Sequence, residues 1–182
     1  MRSLPNLITV LRILLIYPFV LALLHGEPGT ALVLFAVAGI SDGLDGFLAK
    51  RFGWTSRLGA VLDPIADKLL LLAAYLTLGW LALLPSWLIA LVVLRDVVIV
   101  GGAVSYYRLF GEYDMEPLLI SKFNTVCQVA LVVLVLAVVW HAGVEPRLLT
   151  WAGYLVAATT GASGTAYVWV WTRRALSQRR SG

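Results

Sequence analysis

Residues 41 to 68 read SDGLDGFLAKRFGWTSRLGAVLDPIADK, and they join two of the most apolar runs in the chain. The stretch carries four aspartates (Asp42, Asp45, Asp63 and Asp67) and four basic residues (Lys50, Arg51, Arg57 and Lys68). Asp42 and Asp45 are three apart and, with Gly46 and Ala49, share one helical face. Gly59, Asp63 and Asp67 are spaced by four and share another. The stretch therefore reads as the end of one helix, a short connection and the start of the next, with acids turned toward one place. How apolar the neighbouring helices are decides what kind of fold this is.

Of 182 residues, 60% are hydrophobic and 13% are charged, and the mean hydropathy is +0.89. A soluble domain of this length would carry about twice that charged fraction. Seven tryptophans and seven tyrosines suit a chain that meets membrane interfaces. The reading is an all-α integral membrane protein. The net charge of +4 then bears on topology and anionic lipid, with no nucleic-acid partner expected. Cys127 stands alone within an apolar run and reads as a packing residue. No cleavable signal peptide is expected, because the first apolar run lacks a small-residue cleavage site and further spans follow.

About 20 apolar residues cross a bilayer as a helix. Six runs qualify: 7–25, 29–49, 59–83, 86–107, 121–141 and 148–171. They are separated by HGEPGT, KRFGWTSR, LPSW, RLFGEYDMEP and HAGVEPR, all with turn character. Pro5 in RSLPNL predicts a short N-terminal interfacial segment leading into the first span. Residues 1–182 form one membrane domain, without an internal repeat or low-complexity segment.

Basic residues set the orientation. Arg2, Arg12, Lys50, Arg51, Arg57, Arg108, Lys122, Arg173, Arg174, Arg179 and Arg180 fall on one side, whereas the other side holds only Arg147, beside Glu27 and Glu145. The positive-inside rule places both termini and the second and fourth loops in the cytoplasm. The acids of 41–68 then lie at the cytoplasmic ends of spans two and three. The expected location is a cell membrane of bacterial type, in multi-pass form, with the active site facing the cytoplasm.

Four uncompensated carboxylates in a poorly solvated place repel one another, and burying them alone is costly. Hard divalent cations answer both problems, because Mg²⁺ and Mn²⁺ prefer oxygen ligands. Two ions bridged by shared carboxylates form a clamp suited to phosphoryl chemistry. Gly46 and Gly59 remove side-chain bulk on the same faces, which admits a ligand or a neighbouring helix. The plainer reading has these acids capping helix ends or pairing with Lys50, Arg51, Arg57 and Lys68. One or two could do so, but four in a spaced pattern beside the membrane point to function.

The residues resemble the CDP-alcohol phosphatidyltransferase family, whose pattern is D-x2-D-G-x2-A-R-x8-G-x3-D-x3-D. Asp42, Asp45, Gly46, Ala49, Lys50, Gly59, Asp63 and Asp67 match every spacing. The likeness extends to PNLITVLR opening the first span, to six spans, and to LDPIADK around the last acids. Lys50 stands where the family has arginine, with Arg51 next to it; lysine keeps the charge but lacks the fork.

What the resemblance implies is transfer of a phosphatidyl group from CDP-diacylglycerol to an alcohol, with release of CMP. Asp42, Asp45, Asp63 and Asp67 would surround two divalent ions, Mg²⁺ or Mn²⁺, and Asp67 would be the general base. Gly46, Ala49 and Lys50, with Arg51 and Gly59 beside them, would line the nucleotide pocket. Asn6, Thr9 and Arg12 match polar family positions on the first span, and a homodimer is expected. Direct attack by the acceptor hydroxyl needs no protein nucleophile, and no Ser-His or Cys-His pair argues otherwise.

Two acceptors compete. Phosphatidylglycerophosphate synthases of this family, which use glycerol 3-phosphate, tend to show R-E in span four, a second arginine eight residues on, and K-x-K-T opening span five. Here stand Arg95-Asp96, Ala103, and Lys122 followed by Asn124. A phosphomonoester dianion wants several cationic donors, and this chain offers two fewer. The stretches RDV and ISKFNTVCQ look more like the eukaryotic-type cardiolipin synthases, whose acceptor is phosphatidylglycerol. A buried Arg95–Asp96 pair is expensive unless it faces a cavity, so Arg95 and Lys122 are the expected acceptor contacts.

His25, His141 and the tryptophans 80, 87, 140, 151, 169 and 171 read as interfacial. Glu112, Asp114 and Glu116 read as a solvated loop, and the terminal RRALSQRR as a topology anchor that attracts anionic lipid. An alternative from another class is a divalent-cation transporter, but that would place acids near the bilayer midplane or in two repeated halves.

Overall fold

The computed structural model describes the backbone of residues 4–52, 57–110, 118–141 and 145–181, and the side chains of 9–41, 63–108, 118–141, 145 and 147–173. Among the described residues every regular element is helical. The helices are α1 (Leu4–Leu24), α2 (Pro28–Phe52), α3 (Arg57–Trp80), α4 (Ser86–Phe110), α5 (Leu119–Trp140) and α6 (Pro146–Ser181). Ser86–Arg108 and Leu119–Trp140 are long and apolar enough to cross a membrane. Thr9–Leu24 and Pro28–Ser41 are shorter apolar stretches.

Each expected span overlaps one helix, with ends within three residues of those expected apart from the close of α6. The interfacial segment expected before the first span is continuous with it: α1 begins at Leu4, with Pro5 in its first turn. A proline there loses no helical hydrogen bond, since the first N–H groups have no partner in any helix. At the other end α6 runs ten residues past the expected limit of 171, through RRALSQRR to Ser181. Hydropathy ends at the arginines, but Arg, Ala, Leu and Gln are all good helix formers.

Two helix ends close in the same way. After α1, Glu27 N–H bonds to the Ala22 carbonyl at 2.8 Å and Gly26 N–H to that of Leu23 at 3.1 Å. Gly26 takes the left-handed φ of 74° that this cap requires. After α3, Leu83 N–H reaches the Leu78 carbonyl at 2.9 Å and Ala82 N–H that of Gly79 at 3.0 Å. Here a residue with a Cβ, Ala82, occupies the left-handed position at φ 56°.

The chain forms two compact units. The first is Met1–Leu84 with Val132–Glu145. In it α1 packs on both α2 and α3. Ala31, Phe35 and Ala38 recur on one face of α2, and Ala66, Leu70, Ala74 and Leu78 on one face of α3. The small residues let backbones approach closely, and Phe19 meets Phe35 at 5.7 Å between ring centroids.

The second unit is Pro85–Leu131 with Pro146–Gly182, in which α4 packs on α6. Gly102 on α4 lies against the Trp171 ring of α6, where a Cβ would overlap the indole. Arg95, Asn124, Gln128, Thr159, Thr160 and Ser163 are buried, whereas Val97, Val100, Val126, Leu155 and Val168 are exposed. Polar groups inside and apolar ones outside are what an apolar solvent selects. Trp80, Trp87, Trp140, Trp151 and Trp169 are exposed, as interfacial rings would be. Cys127 is free and buried.

Candidate active site

Asp63 and Asp67 sit one turn apart on α3, and α1 meets both with polar side chains one turn apart on its own surface. The Thr9 hydroxyl donates to Asp63 Oδ1. Arg12 Nη1 donates to Asp67 Oδ1 at 2.7 Å. Spacings of three on α1 and four on α3 bring the two pairs into register, because both steps return to nearly the same side of a helix. Thr9 and Arg12 are fully buried, whereas Asp67 keeps 45% of its side chain exposed. The buried side of the site is thus hydroxyl and guanidinium, and the open side is carboxylate.

This arrangement holds anionic oxygen in fixed positions. A buried arginine is tolerated only against a counter-charge, so Arg12 orients Asp67 while that carboxylate compensates it. Asp63 Oδ1 accepts the Thr9 hydroxyl, which restricts rotation of that carboxylate in the way groups behind a metal ligand do. Among the described residues the donor set is all oxygen, the kind that Mg²⁺ and Mn²⁺ take, without the nitrogen or sulfur that zinc or copper would favour. No group of three or more potential ligating His, Cys, Asp or Glu side chains occurs among the described residues. Asp42 and Asp45 lie on the last turns of α2, but their side chains are outside the described residues, as are those of Ala49, Lys50, Arg51 and Asn6 and the surroundings of Gly46 and Gly59. Glu112, Asp114 and Glu116 are outside them altogether.

Arg95 belongs to the second unit, and the expected pair with Asp96 is present at 2.7 Å. It also borders a groove of about 420 Å³ between α4 and α6, walled chiefly by apolar residues such as Leu91, Leu94 and Val98. Lys122 is exposed on the first turn of α5. Asn124, which stands where the acceptor pattern K-x-K-T expects a second lysine, is fully buried. Its Oδ1 accepts hydroxyl bonds from Thr159 at 2.8 Å and Thr160 at 2.9 Å, so it ties α5 to α6.

Sequence reasoning missed Ser121 and Ser163. Both accept hydrogen bonds from the Arg95 guanidinium, Ser163 from Nε at 3.3 Å and from Nη2 at 2.6 Å, Ser121 from Nη2. The available signal was the hydroxyl-rich run TTGASGT at 159–165, inside an otherwise apolar helix. Thr160 and Ser163 recur there at a helical step.

A family model described as CDP-alcohol phosphatidyltransferase matches residues 2–168. A probable CMP-forming cardiolipin synthase of Drosophila melanogaster is 36% identical over 184 residues, covering 91% of this chain and 56% of the fly protein. The CMP-forming cardiolipin synthase of Rattus norvegicus is 32% identical over 182 residues, covering 91% of this chain and 60% of that protein. A chloroplastic CDP-diacylglycerol–glycerol-3-phosphate 3-phosphatidyltransferase of Oryza sativa is 39% identical over 151 residues, covering 72% of this chain and 46% of that protein. The chain therefore spans about half to three-fifths of the length of these curated relatives.

Proposed function

The chain belongs to the CDP-alcohol phosphatidyltransferase family, and from that premise we propose that it transfers the phosphatidyl group of CDP-diacylglycerol to phosphatidylglycerol, giving cardiolipin and CMP. The observation that carries the reaction class is the pair of α3 carboxylates gripped from α1 by Thr9 and Arg12. The transporter alternative has no comparable support once the family is known.

The acceptor hydroxyl oxygen attacks the lipid-bearing phosphorus, and the bond from that phosphorus to the oxygen of CMP breaks with its electron pair leaving on CMP. Asp67 takes the hydroxyl proton, oriented for this by the Arg12 contact. Asp42, Asp45, Asp63 and Asp67 would hold two divalent ions, Mg²⁺ or Mn²⁺. Bound there, such ions neutralise charge gathering on the pyrophosphate and on departing CMP. Gly46, Ala49, Lys50, Arg51 and Gly59 would line the nucleotide pocket, and Asn6 would contribute a polar contact from the first span, as the family pattern implies.

The acceptor choice rests on Arg95. Its charge is already matched by Asp96, and its other hydrogen bonds go to serine hydroxyls. A cation so engaged suits a singly charged phosphodiester better than a phosphomonoester dianion. The mostly apolar groove beside it suits an acceptor that is itself a lipid. Likeness to the rice enzyme, 39% identical over its matched part, favours glycerol 3-phosphate as the second reading.

All six helices would span the membrane, with both termini and the acids on the cytoplasmic side, in one catalytic domain that works as a homodimer. The uneven spread of Lys and Arg supports this orientation. The test is radiolabelled CDP-diacylglycerol offered with phosphatidylglycerol and with glycerol 3-phosphate in separate reactions. Labelled cardiolipin from the first is the expected product; consumption of glycerol 3-phosphate alone would transfer the chain to the second reading.

A further inference from the structure

An arginine guanidinium carries five N–H donors, which it presents to phosphate as forks of two. In Arg95 both edges that could form such a fork are already occupied. Nε–H and one N–H of Nη2 converge on the single oxygen of Ser163, at 3.3 and 2.6 Å. The second N–H of Nη2 goes to Ser121 Oγ, and one N–H of Nη1 goes to Asp96 Oδ1 at 2.7 Å. That leaves one N–H, on Nη1, without a protein acceptor among the described residues. The side chain is 7% exposed, so water does little to loosen this arrangement.

We propose that Ser121 and Ser163 are specificity-determining residues that select the charge class of the acceptor through Arg95. Together they consume three of its five donors, Ser163 two and Ser121 one. The side-on fork of Nε and Nη2 is closed by Ser163, and the end-on fork of Nη1 and Nη2 is closed by Ser121 with Asp96. A phosphodiester, with one charge and two unesterified oxygens, is served by the single remaining N–H. A phosphomonoester dianion, which needs paired donors for its three oxygens, is not.

The serines are positioning residues, since they act on the ligand only by directing the guanidinium. A purely structural role is separable from this one. Serines that merely satisfy a buried cation would affect stability and would affect both acceptors alike. Serines that close the forks change one acceptor relative to the other. The inference rests on the reading that Arg95 faces the acceptor phosphate, and its test separates the two.

The full chain, reconstituted in vesicles with radiolabelled CDP-diacylglycerol and Mg²⁺, is assayed with phosphatidylglycerol and with glycerol 3-phosphate. The readout is the ratio of the two kcat/KM values. Ser163→Ala returns a fork to the ligand and is expected to raise the ratio of glycerol 3-phosphate to phosphatidylglycerol by about tenfold, the scale of one charge-assisted hydrogen bond. KM for CDP-diacylglycerol stays unchanged, and Ser163→Thr, which keeps the hydroxyl, restores the wild-type ratio. An unchanged ratio in an active Ser163→Ala protein overturns the inference. Should that variant fail to fold, Ser121→Ala, at a half-buried position, replaces it with a smaller expected rise, and an unchanged ratio there is equally fatal. Wild-type protein that releases no CMP with either acceptor, or that prefers glycerol 3-phosphate, would instead overturn the proposed function itself.

Discussion

The guanidinium of Arg12 and the carboxylate of Asp67 meet at 2.7 Å, with the arginine side chain wholly buried and the aspartate 45% exposed. The asymmetry is functional in form. The cation is locked inside by the packing of α1 on α3, and the anion remains reachable from outside. A helix that only needed a neutral seam would have placed apolar residues at both positions, since a buried pair seldom stabilises more than its apolar replacement.

Asp67→Asn keeps an oxygen acceptor for Arg12 but cannot take a proton. The variant is expected to insert and fold but to unfold at a lower temperature, because buried Arg12 loses its counter-charge, while CMP release falls by about 10²- to 10⁴-fold, the usual contribution of a general base. Thermal unfolding in detergent, run beside the turnover assay, checks both halves. Wild-type turnover in this variant would remove Asp67 as the base.

Thr9→Val preserves shape and deletes the donor to Asp63. If the hydroxyl orients a metal-binding carboxylate, the concentration of Mg²⁺ needed for half-maximal activity rises by about 10- to 100-fold, as it does when groups behind a ligand are removed. The turnover at saturating Mg²⁺ changes less. A Mg²⁺ titration that overlays the wild type would show that Thr9 serves packing alone.

Ala82 holds a left-handed φ of 56° at the end of α3, a conformation in which a Cβ is strained. Ala82→Gly is therefore expected to stabilise the protein by about 1 kcal/mol, net of the added freedom of the unfolded chain. Gly26→Ala, at the matching position after α1, has the opposite sign. Paired unfolding curves in the same detergent decide it, and destabilisation by Ala82→Gly would contradict the cap geometry.

Much of this architecture is legible in sequence because each helix is written as an apolar run with a punctuated end. Gly26 after His25 marks a helix terminus, and the spacing of Asp63 and Asp67 already puts both on one face. The partnership of Arg12 with Asp67 was only partly visible. Helical spacing shows which residues share a face, but the pairing of α1 with α3 is a matter of packing across 55 positions of chain. The hydroxyl-rich run at 159–165 marks Ser163 in sequence, but its partner is not legible, for a related reason. Serine within an apolar helix is commonly a small packing residue, and its bond to Arg95 spans 68 positions. Helix α6 outruns its apolar span because hydropathy measures where lipid ends, whereas the helix ends where backbone propensity does.

The central claim is that the aspartates of α2 and α3 gather divalent ions to move a phosphatidyl group. Its most direct measurement is CMP release from CDP-diacylglycerol and phosphatidylglycerol, by protein stripped with chelator and then titrated with Mg²⁺ or Mn²⁺. The expected result is no release in the stripped protein, full recovery with either ion, and none at any ion concentration in a folded Asp63→Ala variant. Release that persists in chelator, or that survives in Asp63→Ala, would contradict it.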